Sequence, residues 1–255
     1  MKNLKLILVV GARPNFMKIA PLILAIRNQR NILENGNVRI DYRLVHTGQH
    51  YDLRMSDAFF QELNIPEPDF NLGVGSGSHA VQTAEIMVRF EKVCLQEKPD
   101  WIVVVGDVNS TMACTLVAAK LEMKVAHIEA GLRSFDRTMP EEINRLVTDA
   151  LADLLLTPSE DADRNLLREG VPQKKIRCVG NVMIDTLKIN LKKARELRPY
   201  KQYGLEEKKY VFVTLHRPSN VDGKDSLREI MRNLTGLSQK LPVIFPLHPR
   251  TEKNL

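Results

Sequence analysis

Apolar residues in this chain fall into short continuous runs separated by amphipathic stretches, the pattern of buried parallel strands alternating with helices. Leu4 to Val10 is such a run, too short for a helix, and it stops at Gly11 before a helical pattern over Phe16 to Arg27. Val38 to His46 alternates as a second strand and leads into a loop carrying Gln49 and His50. The glycine- and serine-rich stretch from Leu72 to Ala80 predicts a mobile loop ahead of a helix from about Val81 to Glu97. Trp101 to Val105 is the clearest buried strand, and it delivers Gly106 and Asp107 into a helix with small residues on its packing face. Lys124 to Ile128, a helix ending at Ala152, Leu154 to Thr157, a helix from Ala162 to Glu169 and Ile176 to Val179 continue the alternation. Gly180, Asn181 and Asp185 open one more helical segment. Residues 1 to roughly 180 therefore predict one doubly wound α/β domain.

From Thr186 to Lys209 the charge rises sharply, with Pro199 and Gly204 as breakers. This places a boundary between a domain of residues 1–185 and a connector with a second domain over 186–255. Tyr210 to Leu215 and Pro242 to Leu247 start a second strand-helix register, delivering His216 and Arg217 to one strand end and His248 and Arg250 to the other. Two strands and one helix cannot cover a sheet. The second domain is expected to be incomplete.

The densest chemistry lies behind the strand at Lys124 to Ile128. Glu129, Arg133, Asp136, Arg137, Glu141, Glu142 and Arg145 fall within one loop and one helical turn, with Gly131 to bend the chain and Pro140 to open the helix. Carboxylates held near arginines are a means of separating acid and base roles at neutral pH. Asp107 is a further acid at a strand's end; its alternative role is helix capping, for which Asn109, Ser110 and Thr111 are also at hand. At the first strand's end, Arg13 stands at a helix start suited to an anion, and Lys18 lies about a turn further on. Neither the G-x-G-x-x-G nor the Walker A pattern occurs in that turn.

Composition narrows the guest. Of 255 residues, 44% are hydrophobic and 27% charged, as in a globular protein, and the formal net charge is +6. Aromatic residues make up only 5% and are not interleaved with the scattered basic ones, which argues against nucleic acid and for a phosphate-bearing small molecule. Cys94, Cys114 and Cys178 occur singly and read as reduced. With no apolar run near the length of a membrane span and no cleavage pattern behind the first strand, the expected compartment is the cytoplasm, with no membrane partner.

The motifs GARPNFMK (11–18), HTGQH (46–50), GDVNSTMA (106–113), HIEAGLRS with PEEINR (127–145), GNVMID (180–185) and TLHR (214–217) together resemble the non-hydrolysing UDP-N-acetylglucosamine 2-epimerases, in the family's order through essentially the whole chain. The resemblance implies a GT-B-like α/β fold of two Rossmann-like doubly wound domains with the second incomplete. It also implies a cleft active site, a homodimer, and neither metal nor nicotinamide cofactor. The implied reaction interconverts UDP-GlcNAc and UDP-ManNAc for envelope polysaccharide synthesis. Asp107, Glu129, Glu141 and His216 fall on catalytic positions, Arg13, Lys18, Arg145 and Asn181 on substrate-binding ones, and Gln49, Arg217 and His248 on positions near a second, activating UDP-GlcNAc. Family members continue with a glycine-rich GG-x-x-E segment that holds the diphosphate and has no equivalent in this sequence, so the chain as given is expected to be a poor catalyst. Epimerases of diacetamido uronic-acid sugars share the motifs. A GT-B glycosyltransferase and a non-catalytic nucleotide-sugar-binding protein are the remaining alternatives.

Overall fold

A computed structural model describes residues 2–29, 38–49 and 62–255, and the chain divides into two compact units, residues 1–189 and 190–255. The first unit is built on a seven-stranded sheet in the order β3-β2-β1-β4-β5-β6-β7, with every pairing parallel. Its strands are β1 (Lys2–Val10), β2 (Val38–His46), β3 (Phe70–Asn71), β4 (Trp101–Val105), β5 (Lys124–Ile128), β6 (Leu154–Thr157) and β7 (Ile176–Cys178). Between them run α1 (Arg13–Gln29), α2 (His79–Glu97), α3 (Asn109–Lys120), α4 (Pro140–Leu151) and α5 (Glu160–Arg168), and α6 (Val182–Leu197) follows β7.

Continuous apolar strands are needed because both faces of this sheet are covered. Successive side chains of β1 alternate between two cores: Leu6, Leu8 and Val10 join Phe16, Ile19 and Ile23 of α1, while Ile7 and Val9 join Ile86 and Phe90 of α2 and Cys114 of α3. Burying each such side chain fully contributes about 1.5–3 kcal/mol, so a one-residue slip of β1 would exchange two complementary sets at once. The strand order reverses between β1 and β4. In an open α/β sheet that reversal opens a crevice at the carboxyl ends of the two strands, here occupied by the turns at Gly11 and Gly106.

Element by element, the structure departs from the pattern reading at several points. Helix α1 starts at Arg13 and α2 at His79, each earlier than the apolar periodicity predicts, because α1 opens on Arg13-Pro14-Asn15 and α2 on His79-Ala80, which carry no large apolar side chain. Strand β3 carries no sequence signal at two residues. The stretch read as a mobile loop is tied to the chain after β2, with Val74 N–H donating to the Thr47 carbonyl at 3.1 Å and Gly75 N–H to that of Gly48 at 2.8 Å. In the second unit the apolar runs at 210–215 and 242–247 yield only β8 (Val211–Phe212) and β9 (Val243–Ile244), which pair in parallel. Helices α7 (Pro218–Val221), α8 (Lys224–Ser238) and α9 (Pro249–Glu252) complete that unit. Among the described residues, no helix is long and apolar enough to cross a membrane.

Candidate active site

Two acids emerge at the carboxyl ends of neighbouring central strands, each beside its own cation. Asp107 follows β4, and its Oδ2 accepts from Arg145 Nε at 3.1 Å and Nη2 at 2.8 Å. Glu129 follows β5, and its Oε2 is hydrogen-bonded to Lys18 Nζ from the second turn of α1. The Lys18–Glu129 pair lies against Gly106, the residue that precedes Asp107. A Cβ added to that residue would meet Lys18 Nζ at 2.8 Å and Glu129 Oε2 at 3.5 Å, and its φ of +68° also favours glycine. Lys18 and Arg145 thus reach the same rim from α1 and from α4.

The backbone beneath these acids is fixed by buried amides. Asn15 Oδ1 accepts from Gly11 N–H at 3.1 Å and Ala12 N–H at 2.9 Å, closing the turn after β1, while its Nδ2 donates to the Val105 carbonyl at 2.9 Å. Asn144 Nδ2 donates to the Asp107 carbonyl at 2.8 Å. Glu129 has a φ of +73°, a left-handed conformation uncommon for a side chain other than glycine. It is held there by hydrogen bonds from Glu129 N–H and Ala130 N–H to the Leu156 carbonyl, at 3.0 and 3.2 Å.

The two glutamates at the start of α4 have opposite surroundings. Glu141 is exposed in the first turn and stands outside these networks. Glu142 is buried and closes the loop behind Glu129, accepting from Ser134 N–H at 3.0 Å, Phe135 N–H at 3.1 Å and Arg145 Nη1 at 2.5 Å. Burial works to raise its carboxyl, but these bonds outweigh burial and hold it below the usual carboxylate range. Arg145, expected to bind substrate, therefore bridges two acids of the protein itself.

The remaining expected residues are dispersed. Arg13 opens α1. Asn181 Oδ1 accepts from Met183 N–H at 2.9 Å at the start of α6. Gln49 is only 8% exposed, with its Oε1 accepting from Ser110 Oγ at 2.7 Å and Ser110 N–H at 3.2 Å, so its amide braces the start of α3. His50 lies outside the described residues. In the second unit His216 and His248 are exposed with ring centroids 5.8 Å apart, and Arg217, next to His216 in the chain, is exposed. His248 Nδ1 accepts from Arg250 N–H at 3.1 Å. Asn15, Asn144 and the buried His127–Asp149 pair escaped the sequence reading. All four sit within two residues of an acid or cation already singled out, or one helical turn from it, which is the signal that was available.

Comparison with known proteins follows the same lines. A family model described as UDP-N-acetylglucosamine 2-epimerase matches residues 31–255. A protein of Methanococcus maripaludis called a UDP-N-acetylglucosamine 2-epimerase homolog is 46% identical over 99% of this chain and 68% of its own length. The UDP-2,3-diacetamido-2,3-dideoxy-D-glucuronate 2-epimerase of Pseudomonas aeruginosa is 41% identical over 97% of the chain and 68% of its own length. Among solved structures, that of Methanocaldococcus jannaschii UDP-GlcNAc 2-epimerase in complex with UDP-GlcNAc and UDP superposes with a TM-score of 0.84 at 44% identity, covering 99% of this chain and 68% of that one. The α/β, GT-B-like fold is common to both. With the family model matching most of the chain and with this identity and coverage, the chain belongs to the UDP-N-acetylglucosamine 2-epimerase family.

Proposed function

We propose that this protein inverts the configuration at C2 of UDP-GlcNAc, giving UDP-ManNAc. The observation that carries the reading is the two carboxylates, Asp107 with Arg145 and Glu129 with Lys18, at the carboxyl ends of neighbouring strands, where an α/β sheet presents its ligands. C2 has no adjacent carbonyl, so its proton can leave only as the bond from C1 to the diphosphate oxygen breaks. A base takes the C2 proton, the C–H electron pair forms the C1–C2 double bond of a 2-acetamidoglucal, and UDP departs with the C1–O electrons. Re-addition of UDP at C1 with a proton delivered to the other face of C2 completes the inversion. Two proton carriers are required. Asp107 and Glu129 are assigned these parts, with the exposed Glu141 the third candidate, and a neighbouring cation balances each of the first two as protons come and go. Arg13 is assigned to the diphosphate at the start of α1. Asn181 stays a substrate-binding candidate, and His216 joins the reaction, on the family resemblance.

Incubation with UDP-GlcNAc in heavy water tests the reading. Deuterium at C2 with UDP-ManNAc in the product supports it, whereas sugar transfer without C2 exchange favours the glycosyltransferase alternative. The diacetamido uronate is the second substrate to assay, given the resemblance to the Pseudomonas aeruginosa enzyme; a higher kcat/KM there would reassign the sugar. A homodimer is also inferred: Val81, Val88 and Leu95, seven residues apart on α2, are 59%, 58% and 55% exposed and form an apolar stripe for a second copy. A monomer by sedimentation would overturn that inference. Three free cysteines suit a reducing cytoplasm.

A further inference from the structure

His127 lies at the penultimate position of β5, two residues before Glu129, and is fully buried. Both of its ring nitrogens face oxygen. Nδ1 is 2.6 Å from Asp149 Oδ1, on the third turn of α4, and Nε2 is 2.8 Å from the carbonyl oxygen of Gly106. A carbonyl oxygen can only accept, so Nε2 carries a proton. Asp149 Oδ2 already receives Gly131 N–H at 3.0 Å and Arg133 Nη1 at 2.7 Å, and Arg133 is in turn forked onto Glu169 at 2.7 and 2.6 Å. The proton between Nδ1 and Oδ1 belongs to the ring if Asp149 is ionised. The Arg133 guanidinium and the Gly131 N–H both donate to that carboxylate, which favours its ionised form independently of the ring.

These contacts join the two acid-bearing loops. Gly106 N–H donates to the Ile128 carbonyl at 3.1 Å, so the residue before Asp107 is gripped at its amide by β5's last carbonyl and at its own carbonyl by His127. Asp149 meanwhile holds the amide of Gly131, two residues beyond Glu129. We propose that His127, protonated on both ring nitrogens, is a positioning residue that with Asp149 sets the spacing of the Asp107 and Glu129 backbones. It touches neither substrate nor reacting atoms; it fixes the frame from which the two carboxylates project. With Asp149 ionised, a neutral ring could satisfy only one of its two acceptors and would release either Gly106 or Asp149.

Magnetic resonance on the full chain, labelled with nitrogen-15 at its histidines, reads the protonation directly. His127 is assigned through ring-proton contacts to its neighbours, so the result needs no variant. Two protonated ring nitrogens at neutral pH are expected; a single one overturns the proposal. In Asp149→Asn the amide can donate to Nδ1, and His127 is expected to keep only the Nε2 proton, so retention of both would overturn it as well. The kinetic consequence rests on the epimerase reading. His127→Gln should lower kcat for C2 exchange by about tenfold to a hundredfold with KM within about twofold, since small displacements of reacting groups cost rate more than binding. An unchanged kcat, or a loss expressed wholly in KM, counts against the positioning role. If the unaltered chain shows no exchange at all, it is the proposed function that fails, and the ring protons still decide this inference.

Discussion

At the scale of single residues, the site separates acids that can act from acids that hold the fold. Asp107 and Glu129 keep part of their surface at the rim, with side chains 32% and 18% exposed, while Glu142 and Asp149 are buried among donors. Asp107→Asn and Glu129→Gln should therefore each lower turnover on the order of a hundredfold with little change in melting temperature, the range for general acid-base groups. Near-normal rates of deuterium incorporation in either variant would withdraw that residue's role. Gly131 makes the opposite kind of prediction. Its φ is +80°, and an added Cβ would sit 2.5 Å from the carbonyl oxygen of Ala162. Gly131→Ala is expected to destabilise the fold by about 2 kcal/mol or more, through strain and through movement of α5 away from the loop. Denaturant titration would register it as a lower midpoint with an unchanged slope.

At the scale of elements, period and length made the sheet of the first unit legible: β1, β4, β5 and β6 match their apolar runs closely. First residues without a large apolar side chain hid the starts of α1 and α2, and the two-residue strand β3 is stabilised by pairing with Val45 and His46 rather than by any pattern of its own. The acids of the candidate site were legible as a cluster because strand ends are recognisable. Their division of labour was not, because Glu141 and Glu142 differ only in which way a helix turns them. Helix α4 carries a pH prediction from that division. The carboxyls of Glu142 and Asp149 are held below their ordinary values of 4.5 and 3.8. A lowered folded-state value stabilises the protein above the ordinary carboxylate range, and that stabilisation is lost as the pH falls through the range and below it. Urea unfolding at neutral pH and at successively more acidic pH should show stability dropping, with a shallower drop in Glu142→Gln. Equal slopes for both proteins would mean that Glu142 contributes nothing to acid sensitivity.

At the scale of the whole molecule, the two units have very different resources. The first buries a seven-stranded sheet on both faces, whereas the second pairs two strands of two residues each and leaves Phe212 61% exposed. Amides of β8 and β9 are expected to exchange with solvent much faster than those of β1, β4 and β5, because opening energy follows buried apolar contact. Mass-spectrometric hydrogen exchange resolves the two sets, and comparable protection would mean that the second unit is stabilised by something other than its sheet. The apolar stripe on α2 belongs to the same scale. Val88→Asp should shift a dimer toward monomer without unfolding the first unit, since the stripe lies on the outside of its core.

The left-handed backbone at Glu129 sets stability against chemistry at one position. In most sites alanine tolerates folding better than glycine, yet here glycine is the residue the backbone prefers. With the Lys18 pair lost in both variants, Glu129→Gly should be about 1 kcal/mol more stable than Glu129→Ala. Glycine would relieve that backbone but would leave the buried Lys18 without its carboxylate, so the conformational gain and the loss of the ion pair oppose each other. A search for heat-resistant variants of this chain should leave that codon fixed, since the one residue its backbone favours is also one that abolishes the proposed proton carrier.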